Sequence, residues 1–211
     1  MSTPEPLTPW GPLVVEDAAP GTASRILDAA MERFTRQGIT TTTMSQIAGD
    51  VEISRVWLYR FYAGRDAVVL ALLGREAKRF LDQLAAVIDP EVPVTDAVET
   101  AFEFAVVTLR GHELLQRVLV HEPEVAAPFL TGGIGPLLRA VADVLGPYLE
   151  SRAAMATDTA RAVSDTLLRL ILSITLNNET QVDFDDPRQR RAYIRQVIPR
   201  LVPPVPPAPP N

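Results

Sequence analysis

Arginine and aromatic side chains are concentrated in the eleven residues from 55 to 65. This segment holds three arginines and four aromatic residues, namely Arg55, Trp57, Tyr59, Arg60, Phe61, Tyr62 and Arg65. A guanidinium group donates hydrogen bonds to guanine edges and to phosphate oxygens, and a tyrosine hydroxyl can also reach a phosphate oxygen. The residue types in this segment therefore indicate a surface for nucleic acid.

Two short helices joined by a tight turn are predicted to hold this cluster. Thr43-Met-Ser-Gln46 fits a capping box for a helix that ends near Val51, and Ser54 is a good N-cap for a helix that ends near Phe61. A longer helix precedes them and ends at Gly38, with an apolar face of Ile26, Leu27, Ala30, Met31 and Phe34. The two short helices and their turn also have an apolar side that should face into the three-helix module. It consists of Ile47, Ala48, Val51, Ile53 and Leu58. This order predicts a helix-turn-helix whose second helix enters the major groove.

The aromatic residues of the cluster have a structural alternative. Tyr59 and the Phe61-Tyr62 pair could form the core of a small three-helix module, with the arginines as a solvated rim. We favour the core for Tyr62. We favour DNA contact for Arg55, Arg60 and Trp57.

The distribution of charge supports a nucleic-acid partner although the net charge is −6. From residue 22 to residue 75 the sequence has seven arginines and five acidic residues, a balance of +2, so the rest of the chain carries −8. A slightly basic N-terminal segment is thus attached to an acidic body, and the local balance decides where an anionic partner binds.

Several features indicate a cytoplasmic protein. Cysteine is absent, which excludes disulfides and thiolate metal sites. The first residues, MSTPEPLTPWGP, lack the basic start and the apolar stretch of a signal peptide. No apolar run reaches the roughly 18 residues that a membrane span needs, so we expect no membrane association.

Hydrophobic periodicity predicts an all-α fold, with an N-terminal three-helix DNA-binding domain and a larger C-terminal helical bundle. After the turn AGRD, the predicted helices are about 66–88, 94–110, 113–120, 135–152, 158–177 and 187–198, with one further helical turn allowed in the Pro/Gly-rich connection EPEVAAPFLTGGIGP. The predicted divisions are a Pro-rich disordered arm at 1–20, the helix-turn-helix domain at 21–66, the helical domain at 67–201 and a Pro-rich disordered tail at 202–211.

The segment from residue 22 to residue 75 resembles the tetracycline-repressor (TetR) family of bacterial transcriptional regulators. Its spacing agrees with that family's pattern at Thr43, Met44, Ile47, Ala48, Ile53, Ser54, Leu58, Tyr59, Phe61, Tyr62, Arg65, Asp66 and Val68. The resemblance implies a homodimeric repressor that binds a palindromic DNA operator and is released by a small-molecule effector, with no enzymatic activity and no cofactor. It implies DNA-binding roles for Thr43, Ser54, Arg55, Val56, Trp57, Tyr59, Arg60 and Arg65.

Three positions depart from the family's pattern. Glu52 stands where a glycine is usual, which requires either a positive φ or a different turn. Val56 and Trp57 occupy small positions of the recognition helix, so the base preference does not carry over, and Trp57 could contact a sugar or a thymine methyl group. Phe61 lacks a polar group for phosphate.

The resemblance makes the domain at 67–201 a ligand-sensing and dimerisation domain. Its candidate pocket residues are Phe80, Leu84, Phe102, Phe104, Val107, Leu115, Phe129, Leu168 and Leu172. Such a lining suits an apolar molecule with one polar end. The candidate dimer residues lie on the last two long helices and are Val163, Leu167, Leu170, Ile171, Ile174, Tyr193, Ile194 and Val197. Ordinary core packing within one chain is the alternative for both sets.

Other classes of function have weaker support. His112-Glu113 and His121-Glu122 lie nine residues apart, which is not the i, i+4 spacing of a helical metal site, and we expect no metal. No nucleophile elbow and no Gly-rich phosphate loop after a strand is present, so we expect no enzyme. The alternative to a DNA-binding regulator is a helical scaffold that binds partner proteins.

Overall fold

The structure is a computed structural model that describes residues 20–128, 130–131, 135–177 and 181–203. Every regular element in these ranges is helical, which confirms the all-α prediction. In chain order the helices are α1 (Pro20–Gln37), α2 (Met44–Asp50), α3 (Arg55–Phe61), α4 (Arg65–Val87), α5 (Val94–Arg110), α6 (Glu113–His121), α7 (Pro123–Pro128), α8 (Gly135–Ala153), α9 (Thr157–Leu176) and α10 (Pro187–Leu201). For α4 to α6 and α8 to α10 the largest departure from the predicted bounds is at the end of α10, which is Leu201 rather than residue 198.

The described residues form two compact units that are not contiguous in sequence. The first unit contains residues 20–80 and 113–128, and the second contains residues 81–112 together with the described residues from 130 onward. The helices α6 and α7 therefore belong with the N-terminal helices α1 to α3. No pattern in the sequence predicted that residues 113–128 belong with the N-terminal helices.

The predicted terminal segments lie outside the described residues except at their inner ends. Pro20 is the first residue of α1. Val202 was placed in the disordered tail, but its side chain is fully buried. Its N–H donates to the carbonyl of Ile198 at 2.8 Å, and its carbonyl accepts from the Thr95 hydroxyl at 2.9 Å. Val202 thus belongs to the folded second unit, and the predicted start of the tail was wrong at this residue.

The core of the first unit is built on the apolar face of α1. Ile26, Ala30 and Phe34 recur at four-residue intervals and are fully buried. They share a core with residues of α2, α3, α4 and α6, namely Ile47, Leu58, Val68, Leu72 and Leu114. Burial of such side chains contributes roughly 1.5–3 kcal/mol each, so this face holds the two short helices on α1.

The core of the second unit is formed by α5, α8, α9 and α10, which contact one another in pairs. Its buried side chains include Val98, Phe102, Val106, Leu149, Leu167, Ile174, Ile194 and Ile198. Arg110 links the end of α5 to the end of α9 and to the segment before α10. Its Nε and Nη2 donate to the two carboxylate oxygens of Asp185 at 2.9 and 2.7 Å, and its Nη1 donates to the carbonyl of Ile174 at 2.9 Å. The hydrogen bonds from Arg110 hold the pKa of the Asp185 carboxyl below its usual range.

None of the helices in the described ranges has the length and the apolar composition needed to cross a membrane.

The packing of α4 predicts a contrast between two of its leucines. Leu72 is 3% exposed in the core of the first unit, whereas Leu70 is 59% exposed. We expect Leu72→Ala to lower the free energy of unfolding by about 2–5 kcal/mol, because it removes buried contacts and leaves a cavity. Leu70→Ala makes the same chemical change at the surface and should cost less than about 0.5 kcal/mol. Urea denaturation followed by circular dichroism measures both, and equal effects would contradict the assigned core.

Candidate nucleic-acid interface

Side-chain caps fix the starts of the two short helices. The Thr43 hydroxyl accepts the N–H of Gln46 at 3.3 Å, and the Gln46 side chain accepts the N–H of Thr43 at 2.8 Å. This is the predicted capping box, in which two unpaired donors of the first turn are satisfied. The Ser54 hydroxyl accepts the N–H of Trp57 at 3.1 Å and caps α3.

The turn between α2 and α3 contains a left-handed residue that is not glycine. Glu52 has a φ of 58°. Of the two alternatives for this position, a positive φ or a different turn, the positive φ is therefore confirmed. The N–H of Glu52 donates to Gly49 at 3.2 Å, and the N–H of Ile53 donates to Ala48 at 3.0 Å. This pair of bonds is a Schellman ending, which needs a positive φ at the residue that Glu52 occupies.

Two arginines of α1 hold the C-terminal end of α2. The Nη2 of Arg25 donates to the carbonyl of Val51 at 3.0 Å. Arg33 forms a two-pronged ion pair with the Asp50 carboxylate, in which Nη2 lies 2.6 Å from Oδ1. Arg25 and Arg33 thus hold the C-terminal end of α2, and the capping box holds its N-terminal end.

The helix α3 is divided into a buried and an exposed face. Leu58 is fully buried and Tyr62, just after the helix, is 4% exposed, which confirms the core position predicted for Tyr62. Val56 is 74% exposed, Trp57 43% and Tyr59 40%, so the core alternative does not hold for Tyr59. Arg55 and Arg60 are also exposed.

The exposed arginines of α3 stack on its exposed aromatic rings. The guanidinium of Arg55 lies 5.4 Å from the Tyr59 ring centre, and that of Arg60 lies 5.3 Å from the Trp57 ring centre. Trp57 in turn meets Phe61 edge to face, with ring centres 5.7 Å apart. Cation–π stacking restricts each arginine without burying its charge. The exposed surface of α3 therefore consists of cationic and aromatic side chains that stack on one another.

An open groove of about 570 Å³ lies beside this surface. It is lined by Thr42, Thr43, Met44, Tyr59, Ala63, Gly64, Arg65, Asp66 and Ala67. The groove thus brings together the first residues of α2, the first residues of α4 and Tyr59. Helix starts carry partial positive charge and backbone donors, which favours an anion such as a backbone phosphate.

Arg65 is engaged within the protein. Its Nη1 donates to the carbonyl of Thr40 at 2.6 Å and to that of Thr42 at 3.5 Å. The family resemblance implied a DNA-binding role for Arg65, which stays a prediction. In the structure Arg65 holds the loop between α1 and α2 and lines the groove.

A residue outside the helix-turn-helix also contacts this loop. Glu122, between α6 and α7, is 5% exposed and accepts the N–H of Ile39 at 2.8 Å and that of Thr40 at 2.7 Å. In the sequence, the His121-Glu122 pair stood out only as a candidate metal site with unsuitable spacing. No local pattern reveals a partner 82 residues away. Among the described residues no group of three or more His, Asp or Glu side chains is placed to hold a metal.

The candidate pocket residues are distributed over both units. Phe80 and Leu115 belong to the first unit, and Leu84, Phe102, Phe104, Val107, Leu168 and Leu172 belong to the second. Phe102 is 2% exposed in the core, and Val107 is 45% exposed. Phe129 lies outside the described residues. A pocket built from this set remains a prediction.

The candidate dimer residues lie largely on the core face of their helices. Leu167, Ile174 and Ile194 are 2–5% exposed within the second unit. Val163, Leu170, Ile171 and Tyr193 are partly buried and pack against the same core, and Val197 is also partly buried. The packing of one chain thus accounts for much of the apolar pattern that suggested a second subunit. The interface stays a prediction.

Comparison with known proteins finds similarity centred on the first unit. A family model described as bacterial regulatory proteins, tetR family, matches residues 26–72. HTH-type transcriptional regulators from two strains of Mycobacterium tuberculosis are each 35% identical to this chain over 79 residues. That match covers 37% of this chain and 36% of each relative, so only about a third of the relatives' length is aligned.

Solved structures resemble nearly the whole chain. GusR of Salmonella enterica has a TM-score of 0.65 at 16% identity and covers 88% of this chain and 97% of its own. FadR of Bacillus subtilis, solved with stearoyl-CoA, has a TM-score of 0.57 at 15% identity and covers 85% and 97%. A tetR-family regulatory protein from Rhodococcus RHA1 has a TM-score of 0.60 at 22% identity and covers 88% and 98%. At these identities the likeness establishes the fold.

The left-handed turn residue predicts a stabilising substitution. Glu52→Gly removes the steric cost of a Cβ at positive φ, so we expect the free energy of unfolding to rise by about 1 kcal/mol. Glu52→Gln removes the same charge but keeps the Cβ, and it should change stability by less than about 0.5 kcal/mol. Urea denaturation of the two variants compares them, and equal stabilities would contradict strain at this turn.

Proposed function

We propose that the chain is a cytoplasmic transcriptional regulator of the tetR family that binds double-stranded DNA, because residues 26–72 match the family model described as bacterial regulatory proteins, tetR family. The observation that carries this proposal is the exposed face of α3. That face presents Arg55, Val56, Trp57, Tyr59 and Arg60 on a helix whose start is capped and whose opposite side is buried. A helix held in this way can enter the major groove as one rigid reading element.

The chemistry of α3 divides its contacts into two kinds. Arg55 and Arg60 offer guanidinium donors that suit guanine edges and phosphates. Val56 and Trp57 are exposed apolar groups, which suit the methyl group of thymine. Tyr59 and the groove beside it, which includes Thr43 and the start of α4, suit a backbone phosphate. The proposed site therefore combines base reading by α3 with backbone positioning by its neighbours.

We propose that two copies act together on an inverted repeat. A single helix of seven residues covers only a few base pairs, and a two-fold pair of such helices about 34 Å apart meets successive turns of one DNA face. Exposed side chains of α8 and α9, among them Val144 and Leu176, are available to such a partner in addition to the partly buried residues predicted from the sequence.

We propose an apolar effector with one polar end for the second unit. Phe104, Leu168 and Leu172 are partly buried apolar side chains there. The Bacillus subtilis FadR, which has a similar fold, was solved with stearoyl-CoA. An effector releases DNA only if it binds the released conformation more tightly than the DNA-bound one. Repression is the proposed mode of regulation.

Selection of genomic DNA fragments by the purified protein tests the proposed function. We expect enrichment of an inverted repeat with half-sites about one helical turn apart. We also expect the logarithm of the affinity to fall linearly with the logarithm of the salt concentration, since phosphate contacts release counterions. Repeating the selection after unfolding and refolding removes a co-purified effector. No enrichment in either preparation would contradict DNA reading and favour the partner-binding scaffold.

Replacing one arginine of α3 tests base reading. We expect Arg55→Ala to cost about 1–3 kcal/mol of binding free energy on the selected duplex and to relax the preference at one or two base positions. Arg36→Ala is the matched control, because Arg36 is an exposed arginine on α1 that pairs with Glu32. A repeated selection compares the profiles. An unchanged profile for Arg55→Ala would assign Arg55 to the backbone instead of to a base.

A further inference from the structure

The Glu122 carboxylate is the centre of a non-local set of hydrogen bonds. It accepts the N–H groups of Ile39 and Thr40, and it also accepts the Thr40 hydroxyl. The two segments are more than 80 residues apart in sequence, yet both lie in the first unit. Because Glu122 is 5% exposed, water is largely excluded from these bonds. An anion in such a position is held by the donors that the loop turns toward it.

The loop that Glu122 holds is confined from other directions as well. Gly38 has a φ of 101°, and a Cβ at this position would lie 2.9 Å from an oxygen of Glu122. On the carbonyl side, Arg65 donates to Thr40 at 2.6 Å. The Thr42 hydroxyl donates to the carbonyl of Gly38 at 2.7 Å. An anion therefore holds two N–H groups of this loop while a cation holds two of its carbonyls, so the loop is restrained on both sides.

This loop leads directly into the cap of α2. Thr43, the next residue after Thr42, supplies the capping box. The Gln37 amide donates to the Thr42 hydroxyl at 3.1 Å and to the Gln46 side chain at 3.3 Å, which joins the end of α1 to the start of α2. The position of α2, and of α3 packed on it, thus depends on how residues 38–42 are held.

We infer that Glu122 is a positioning residue for DNA binding, which acts through the loop at 38–42 on the placement of α2 and α3. The inference rests on the proposed function of α3. The hydrogen bonds of Glu122 described above go to Ile39 and Thr40 and not to α3, so its effect on affinity comes from the population of chains in which α3 is correctly placed. If only a fraction of the molecules has α3 placed for binding, the apparent affinity for DNA is lowered in proportion to that fraction.

Glu122 is ionised in the conditions where it acts. Burial raises the pKa of its carboxyl, but hydrogen bonds from Thr40 and Ile39 and the positive charge of Arg117 outweigh burial, and the net pKa is lowered. A lowered folded-state pKa means that the stabilisation is complete above the ordinary value of 4.5 and is lost as the pH falls through the folded-state pKa below it. The Glu122 contacts therefore persist at neutral pH.

Two charge-matched substitutions test the inference on the duplex selected by the wild-type protein. Glu122→Gln and Glu124→Gln each remove one negative charge, but Glu124 is exposed on α7. We expect Glu122→Gln to weaken binding by roughly 10- to 100-fold, because its amide group cannot accept all three donors. Glu124→Gln should stay within about twofold of wild type. Glu122→Asp keeps the charge and should recover part of the affinity.

Amide hydrogen exchange separates local positioning from general instability. In Glu122→Gln the N–H groups of Ile39 and Thr40 should exchange about tenfold faster or more, while the N–H of Phe34 in α1 keeps its wild-type rate. Equal acceleration at Phe34 would show a loss of global stability and overturn the inference. Equal DNA affinities for Glu122→Gln and Glu124→Gln would also overturn it.

The failure of the proposed function has a different signature. If the wild-type protein enriches no sequence, then DNA reading fails, and the role of Glu122 in DNA binding fails with it. If the wild-type protein enriches a sequence and the two glutamine variants bind it equally, only the inference about Glu122 fails.

Discussion

A helix of seven residues is not stable by itself, and the structure of the first unit depends on this constraint. Both α2 and α3 have that length, which is well below the roughly 12–15 residues at which an isolated helix becomes marginally stable. Their stability must come from their ends and from one buried side. Caps at Thr43 and Ser54 and the fully buried side chains of Ile47 and Leu58 supply it. The exposed side of α3 is then free for the proposed contact with DNA.

The same constraint explains how an acidic chain can present a cationic surface. Several arginines of the first unit are used inside it: Arg25 and Arg33 hold the end of α2, and Arg65 holds the loop before α2. Arg55 and Arg60 stack on aromatic rings at the surface instead. The net charge therefore says little about the interface. What matters is which guanidinium groups the fold leaves pointing outward, because fields fall off over about 10 Å in salt solution.

Local patterns in the sequence predicted most of the fold, and they failed where contacts are non-local. The capping box at Thr43, the cap at Ser54 and the buried face of α1 follow from spacing within a few residues. The pairing of Glu122 with Thr40 has no such spacing, and neither does the return of α6 and α7 to the first unit. Leu167 and Ile174 show a third limit: periodicity reveals an apolar face but not whether the same chain or another covers it.

The discontinuity of the first unit has a consequence for how the chain is made. During synthesis α3 leaves the ribosome before the residues that complete its unit, since residues 81–112 come between them. Domains usually fold as units as they emerge, and closing a long intervening loop costs entropy that must be recovered by the final contacts. A nascent chain that ends before Glu122 therefore carries α2 and α3 without the carboxylate that orders the loop at 38–42. In this protein, completion of the first unit requires synthesis of residues 113–128, in the middle of the chain.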